Sequence, residues 1–136
     1  MSYAGQMLGA IPGGIKVDAN VDVLAEVIDA LGDCAQACAA DTDADLSEQN
    51  LAEMVPCIRL CEDCADVCAA TARVLSRPAR WDARFMMLLL EACVAVCRSC
   101  GDECERHAPM HGHCRVCAAA CFRCEQTCRG LLDVMT

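Results

Sequence analysis

The chain predicts an all-α fold, an antiparallel up-down-up-down four-helix bundle with a cysteine-lined core, on three observations. Four stretches carry apolar or thiol side chains at alternating intervals of three and four, the spacing that puts residues on one face of an α-helix. The breaks between them are short and hold Pro, Asp or Ser, so consecutive helices should fold back as antiparallel neighbours. The most regular row is Cys114, Cys117, Cys121, Cys124 and Cys128, a heptad seam written in thiols.

A chain of 136 residues fits one domain and can bury a real core. Hydrophobic residues make up 56%, yet 15 of them are Cys and aromatics reach only 3%, so the core must be built from small and aliphatic side chains. The formal charge of −9 argues against nucleic acid or an anionic membrane as a partner, since both reward clustered Lys and Arg. No apolar run reaches transmembrane length before an Asp, Glu or Arg interrupts it.

The chain divides into an irregular N-terminal segment over 1–17 and a bundle over 18–136. Gly5, Gly9, Pro12, Gly13 and Gly14 break regular structure in the first part, while Met7, Leu8, Ile11 and Ile15 suit it to lie across the domain or a neighbouring subunit. The first bundle helix runs from Asp18 or Asn20 to Ala40, with Leu24, Leu31, Cys34 and Cys38 on its inner seam. Residues 41–45 then read as a short acidic connection, whose Asp41, Asp43 and Asp45 could attract cations near the mouth although a solvated loop is the default for such a run. Asp45 with Glu48 resembles a capping box opening the second helix.

That second helix extends to about Ser76, which ends it, and carries Met54, Cys57, Cys61, Cys64, Cys68 and Leu75 on one face. Pro56 lies inside it and predicts a kink or a late start. Ser76 as a cap and Pro78 in the first turn open the third helix, whose seam is Met86, Leu90, Cys93, Cys97, Cys100, Cys104 and His107. Pro109 closes it. The fourth starts near His111 and extends its seam from Met110 through the five-cysteine row to Leu131 and Met135.

Up-down topology turns these seams into geometry. Cys38, Cys57, Cys104, His107 and Cys114 come level at one end, while Leu24, Leu75, Met86, Leu90, Leu131 and Met135 gather at the other. The result is a thiol-filled length with an apolar plug and a histidine-bearing mouth.

So many cysteines in a short chain first suggest a secreted disulfide scaffold. Three observations oppose it. Residues 1–17 lack a basic region followed by an apolar run and a cleavage site, the count is odd, and thiols on one helical face have Cβ atoms about 5–6 Å apart, too far for the roughly 3.5–4.5 Å of a disulfide. The expectation is a reduced, cytoplasmic protein.

Thiolates facing one another in a narrow bundle form a soft, sulfur-only cavity, and softness selects Cu(I), with zinc and iron–sulfur clusters as the alternative cargo of a structural domain. Zinc sites use isolated tetrads on C-x2-C knuckles, whereas these cysteines run in pairs along continuous helices. The iron–sulfur pattern C-x2-C-x2-C-x3-C-P is absent. Charge also favours a monovalent ion, because one Cu(I) per thiolate cancels the buried charge that would otherwise be costly. Unloaded thiols can stay protonated and pack as small apolar groups.

In Cys34-x3-Cys38, Cys57-x3-Cys61-x2-Cys64-x3-Cys68, Cys93-x3-Cys97-x2-Cys100-x3-Cys104 and the row from Cys114 to Cys128, the chain resembles the cytosolic copper storage proteins. The resemblance covers residues from about Val21 to Met135. It implies storage of many Cu(I) ions by core cysteines, entry at a mouth bearing His107, His111 and His113, and assembly as a homotetramer supplied by a copper chaperone. No catalytic residue is expected: all the cysteines are alike, so none stands out as an activated nucleophile, and Glu103 and His107 are four apart rather than the three of a di-iron Glu-x-x-His pair. Met54 and Met110 lie at the mouth end as thioether candidates, although core packing is the commoner use of Met.

Overall fold

The structure is a computed structural model that describes residues 2–15, 17 and 19–135. Its helices among those residues are α1 (Tyr3–Gly9), α2 (Val21–Leu46), α3 (Leu51–Leu75), α4 (Ala83–His107) and α5 (Gly112–Met135). Helices α2 to α5 form the bundle. Each packs against its neighbours in sequence, and α5 closes the ring against α2.

Thiol contacts give the register. Cys34 meets Cys64 while Asp41 meets Cys57, so α2 and α3 run antiparallel. Cys68 meets Cys97 and Cys57 meets Cys104, and Cys34 meets Cys121 while Asp45 meets Cys114, which sets α3 against α4 and α2 against α5 in the same way. Cys34 and Cys38 reach Cys97 and Cys100 in parallel order. The up-down-up-down bundle is therefore the fold, and every cysteine is buried in its core.

The termini of these helices differ from the sequence reading in four places. Residues 3–9 are helical despite two glycines: Ser2 Oγ accepts from the Gly5 amide at 3.2 Å, and Leu8 is buried against α2. Capping and tertiary packing outweigh the weak propensity of glycine there. The irregular stretch is instead the turn beyond, where Gly13 and Gly14 adopt positive φ. At the start of α2, Asn20 is the cap, with Oδ1 accepting from the Val23 amide at 2.8 Å. Asp18, the other candidate, lies outside the described residues.

The acidic residues 41–45 are not a connection. α2 continues through them to Leu46, and Asp45 forms no capping box, because α3 begins only at Leu51. α3 thus starts later than a helix capped at Asp45 would, and Pro56 lies in its second turn. Finally, Ser76 ends α3 as the sequence predicts but does not open α4. Its Oγ donates to the Ala72 carbonyl at 2.6 Å, and Asp82 caps α4 by accepting from the Phe85 amide at 3.1 Å. Pro78 is buried and Trp81 packs on the core, so this linker helps close the end of the bundle instead of forming a helical turn.

That end is aliphatic. Leu24, Leu31, Leu75, Leu90 and Leu131 are fully buried there, with Met86 beside them. Among the described residues no helix is long and apolar enough to cross a membrane.

Candidate metal centre

Seam positions on four helices bring the thiols into layers along the bundle axis. Nearest the apolar plug, Cys93 Sγ donates to Thr71 Oγ1 at 3.1 Å. Thr71 occupies the α3 seam position that follows Cys68, and its own hydroxyl donates to the Val67 carbonyl at 2.7 Å. Towards the mouth, donor atoms then converge in fours: Cys34, Cys68, Cys97 and Cys124; Cys34, Cys38, Cys64 and Cys121; Cys38, Cys61, Cys100 and Cys117. Within each set the sulfurs lie within 4.8 Å of one another. Cross-helix approaches include 3.5 Å for Cys68 to Cys97 and 3.6 Å for Cys57 to Cys104.

Consecutive sets share members. Cys34 belongs to the first two and Cys38 to the second and third. A thiolate shared in this way can bridge two soft ions, so the array is a ladder rather than a row of separate sites. All fifteen cysteines are free thiols. Many of them lie within hydrogen-bond distance of another thiol, and the Cys128 thiol is held above the ordinary range by Cys124 and Cys93, with burial adding to the effect.

The donor set changes at the mouth. The next two groups are Asp41 with Cys57, Cys61 and Cys104, and Asp41 with Asp45, Cys57 and Cys114. Asp41 Oδ2 accepts from Cys57, Cys61 and Cys104 at 3.5, 3.4 and 3.6 Å. Both carboxylates are fully buried. Burial, together with the charge of Cys57 and Asp41, pushes Asp45 up to about 8, and burial raises Asp41 as well. The Cys114 thiol rises too, first through burial and then through the two aspartates.

Sequence reasoning weighed Asp41 and Asp45 as residues that could attract cations near the mouth but settled on a solvated loop, so it did not place them in the core. The signal was present: 34, 38, 41 and 45 continue the four-three-four spacing of the α2 seam, but an acidic run reads by default as solvated.

The three histidines separate into two settings. His113 Nδ1 donates to Asp41 Oδ1 at 2.6 Å and lies 3.5 Å from Asp45 Oδ1, while Nε2 faces Glu48 Oε1 at 3.2 Å. Burial works against a charge on this ring, but Asp41 and Glu48 outweigh it and hold its pKa above the ordinary value. His111 pairs with Glu48 Oε2 at 3.1 Å and stacks on His113 with centroids 5.4 Å apart. Residues i and i+2 meet because His111 precedes the first residue of α5 and escapes helical geometry. His107 stands apart on the last turn of α4, its Nε2 2.8 Å from Glu103 Oε2.

Met54 is buried and accepts from the Asn50 amide group at 3.7 Å. Met110 is 81% exposed, so the α5 seam begins at Cys114. A surface cleft of about 360 Å³ between α2 and α5 is lined in part by Asp41, His113 and Cys117.

Comparison with known proteins accords with this geometry. Residues 20–133 match the model of a family described as copper storage protein. The uncharacterised cysteine-rich protein YhjQ of Bacillus subtilis is 36% identical over 104 residues, 76% of this chain and 91% of that protein. Among solved structures, the copper storage protein Ccsp of Streptomyces lividans, loaded with 10 copper equivalents, aligns with a TM-score of 0.89 at 49% identity, covering 96% of this chain and 98% of that one. The Cu(I)-bound copper storage protein BsCsp3 aligns with a TM-score of 0.70 at 35% identity, covering 78% and 94%.

Proposed function

Because this chain belongs to the copper storage protein family, we propose that it is a non-catalytic cytoplasmic store that fills its core with many Cu(I) ions. The carrying observation is the ladder of four-sulfur groups that share Cys34 and Cys38. A store differs from a single-ion site in needing each bound ion to leave ligands for the next, and shared thiolates supply that.

The ligands in this reading are Cys34, Cys38, Cys57, Cys61, Cys64, Cys68, Cys93, Cys97, Cys100, Cys104, Cys114, Cys117, Cys121, Cys124 and Cys128, with His107, His111 and His113 serving the mouth. Ions enter where the cleft and the histidines lie, since the opposite end is closed by aliphatic side chains. They move inward by exchange between thiolates less than 4 Å apart. A copper chaperone is the donor, and the assembled form is a homotetramer. Exposed Tyr3 and Met7 on α1 offer apolar surface for such contacts.

The test is an anaerobic Cu(I) titration followed by native mass spectrometry and helical circular dichroism. The expected outcome is a folded apo chain that takes up copper well beyond the few ions of ordinary thiolate sites. Saturation at about four ions or fewer per chain, the size of one conventional cluster, or a random-coil apo form, would overturn the reading. The same native mass spectra report the assembly state.

A further inference from the structure

The closed end of the ladder stops at a hydroxyl. On α3 the seam runs Cys57, Cys61, Cys64, Cys68, Thr71 and Leu75 at intervals of four, three, four, three and four, so Thr71 stands one step before the plug, where the spacing has so far supplied thiols. At that level α4 and α5 still present Cys93 and Cys128, while α2 has no cysteine before Cys34. The last layer therefore draws its thiols from two helices, whereas the four-sulfur groups towards the mouth draw them from three or four.

Thr71 is more than a spacer. It is fully buried, and a buried hydroxyl is costly unless it is bonded. Its one proton goes to the Val67 carbonyl at 2.7 Å, so its oxygen turns lone pairs towards Cys93, whose S–H donates to it at 3.1 Å. That approach is closer than the 3.4 to 3.6 Å at which Asp41 Oδ2 accepts from its three thiols. Bonding back to Val67 fixes the Thr71 side chain, and the fixed oxygen in turn fixes the Cys93 sulfur.

The same hydroxyl suits a bound ion. When Cu(I) takes the place of the Cys93 proton, which leaves to solvent, the sulfur has no hydrogen to give. The Thr71 hydroxyl can then turn and donate to the thiolate, because the Val67 carbonyl keeps its helical N–H bond. Hydrogen-bond partners of a metal ligand orient it and tune the site. Valine would fill this space without the bond, and cysteine would lengthen the ladder.

We propose that Thr71 is the positioning residue of the innermost copper site: its hydroxyl holds the Cys93 sulfur, and its place in the seam ends the ladder at the pair Cys93 and Cys128. This inference rests on the copper-storage reading.

The experiment is an anaerobic Cu(I) titration of the reduced full chain and of Thr71→Val, Thr71→Ser and Thr71→Cys, with native mass spectrometry for stoichiometry and a chromophoric Cu(I) chelator for affinity. Thr71→Val keeps the shape and removes the hydroxyl. It should weaken about one equivalent by roughly 10–100-fold, the range for lost outer partners of a metal ligand, and leave the others unchanged. Thr71→Ser should restore the wild-type affinity. Thr71→Cys should take up about one ion more than the wild type, since it adds a soft donor to the last layer. A copper-free readout accompanies these: the infrared S–H stretching band of the apo chain should lose its most strongly hydrogen-bonded component in Thr71→Val and keep it in Thr71→Ser. Circular dichroism checks the fold of each variant, and Thr71→Cys keeps the test open should Thr71→Val fail to fold. The proposal is overturned if Thr71→Val binds every equivalent as the wild type does, if Thr71→Ser is as weak as Thr71→Val, or if Thr71→Cys gains no ion. A wild-type chain that saturates at about four ions or fewer overturns the storage reading and this inference together, whereas a full load indifferent to Thr71 overturns this inference alone.

Discussion

The two ends of the bundle finish the same seams in opposite ways. At one end the rows that carry thiols run out into Leu24, Leu75, Leu90 and Leu131, all fully buried. At the other they run out into Asp41, Asp45 and Cys114, with His113 and Glu48 beyond. An aliphatic end excludes water and offers no donor to an ion, whereas the polar end sets oxygen and nitrogen atoms beside its sulfurs. The bundle thus has a direction although its helices alternate. Under the proposed function, ion exchange belongs to the open end and the aliphatic burial to the closed one.

The largest effect that could break this contrast is a cavity in the plug. Leu90 is fully buried in this aliphatic end. Leu90→Ala should therefore cost about 2–5 kcal/mol of apo stability, read as a lower denaturant midpoint. Copper capacity at full load should change little, because no donor is removed. If capacity fell in proportion to stability, the two ends would not be separate in function.

A smaller effect probes the length between them. Gly101 on α4 faces the Phe122 ring of α5 so closely that an added Cβ would lie 2.6 Å from the ring carbon Cε1. Gly101→Ala must push the ring or the helices apart. Overpacking of this kind costs about 1–3 kcal/mol, partly offset by roughly 1 kcal/mol of better helix propensity. A modest fall in melting temperature is expected, together with altered copper affinity in the layer of Cys100 and Cys104, since helix spacing sets the sulfur–sulfur distances.

Much of this was legible before any coordinates. Four helices, their order and the inward face of all fifteen cysteines follow from intervals of three and four, because that period admits few other structures. What stayed hidden depends on contacts remote in sequence. Residues 3–9 become helical through the burial of Leu8 on α2, which local propensity does not register. Asp41 and Asp45 keep the α2 period, yet a carboxylate is ordinarily kept in water, so the period was overruled by residue type. Thr71 was passed over likewise, as a polar residue among thiols. The stacking of His111 on His113 needed the turn after Pro109, whose shape no spacing rule contains.

The finest test of the contrast is the dependence of apo stability on pH. Asp45 is raised from 3.8 to about 8 in the folded chain, so the folded state holds its proton more tightly than the unfolded state does. The stability this lends is fully present below about pH 4 and is lost as pH rises through about 8. Asp41 and His113 are raised as well, so their contributions fade in the same direction. The apo melting temperature should accordingly fall from mildly acidic to alkaline pH. Asn cannot ionise, so Asp45→Asn should flatten that slope, whereas Leu90→Ala should lower the whole curve without tilting it. Thermal circular dichroism over a pH series distinguishes the two patterns. A tilt from the plug variant, or none lost from the mouth variant, would mean that the ionisation cost is not localised at the mouth.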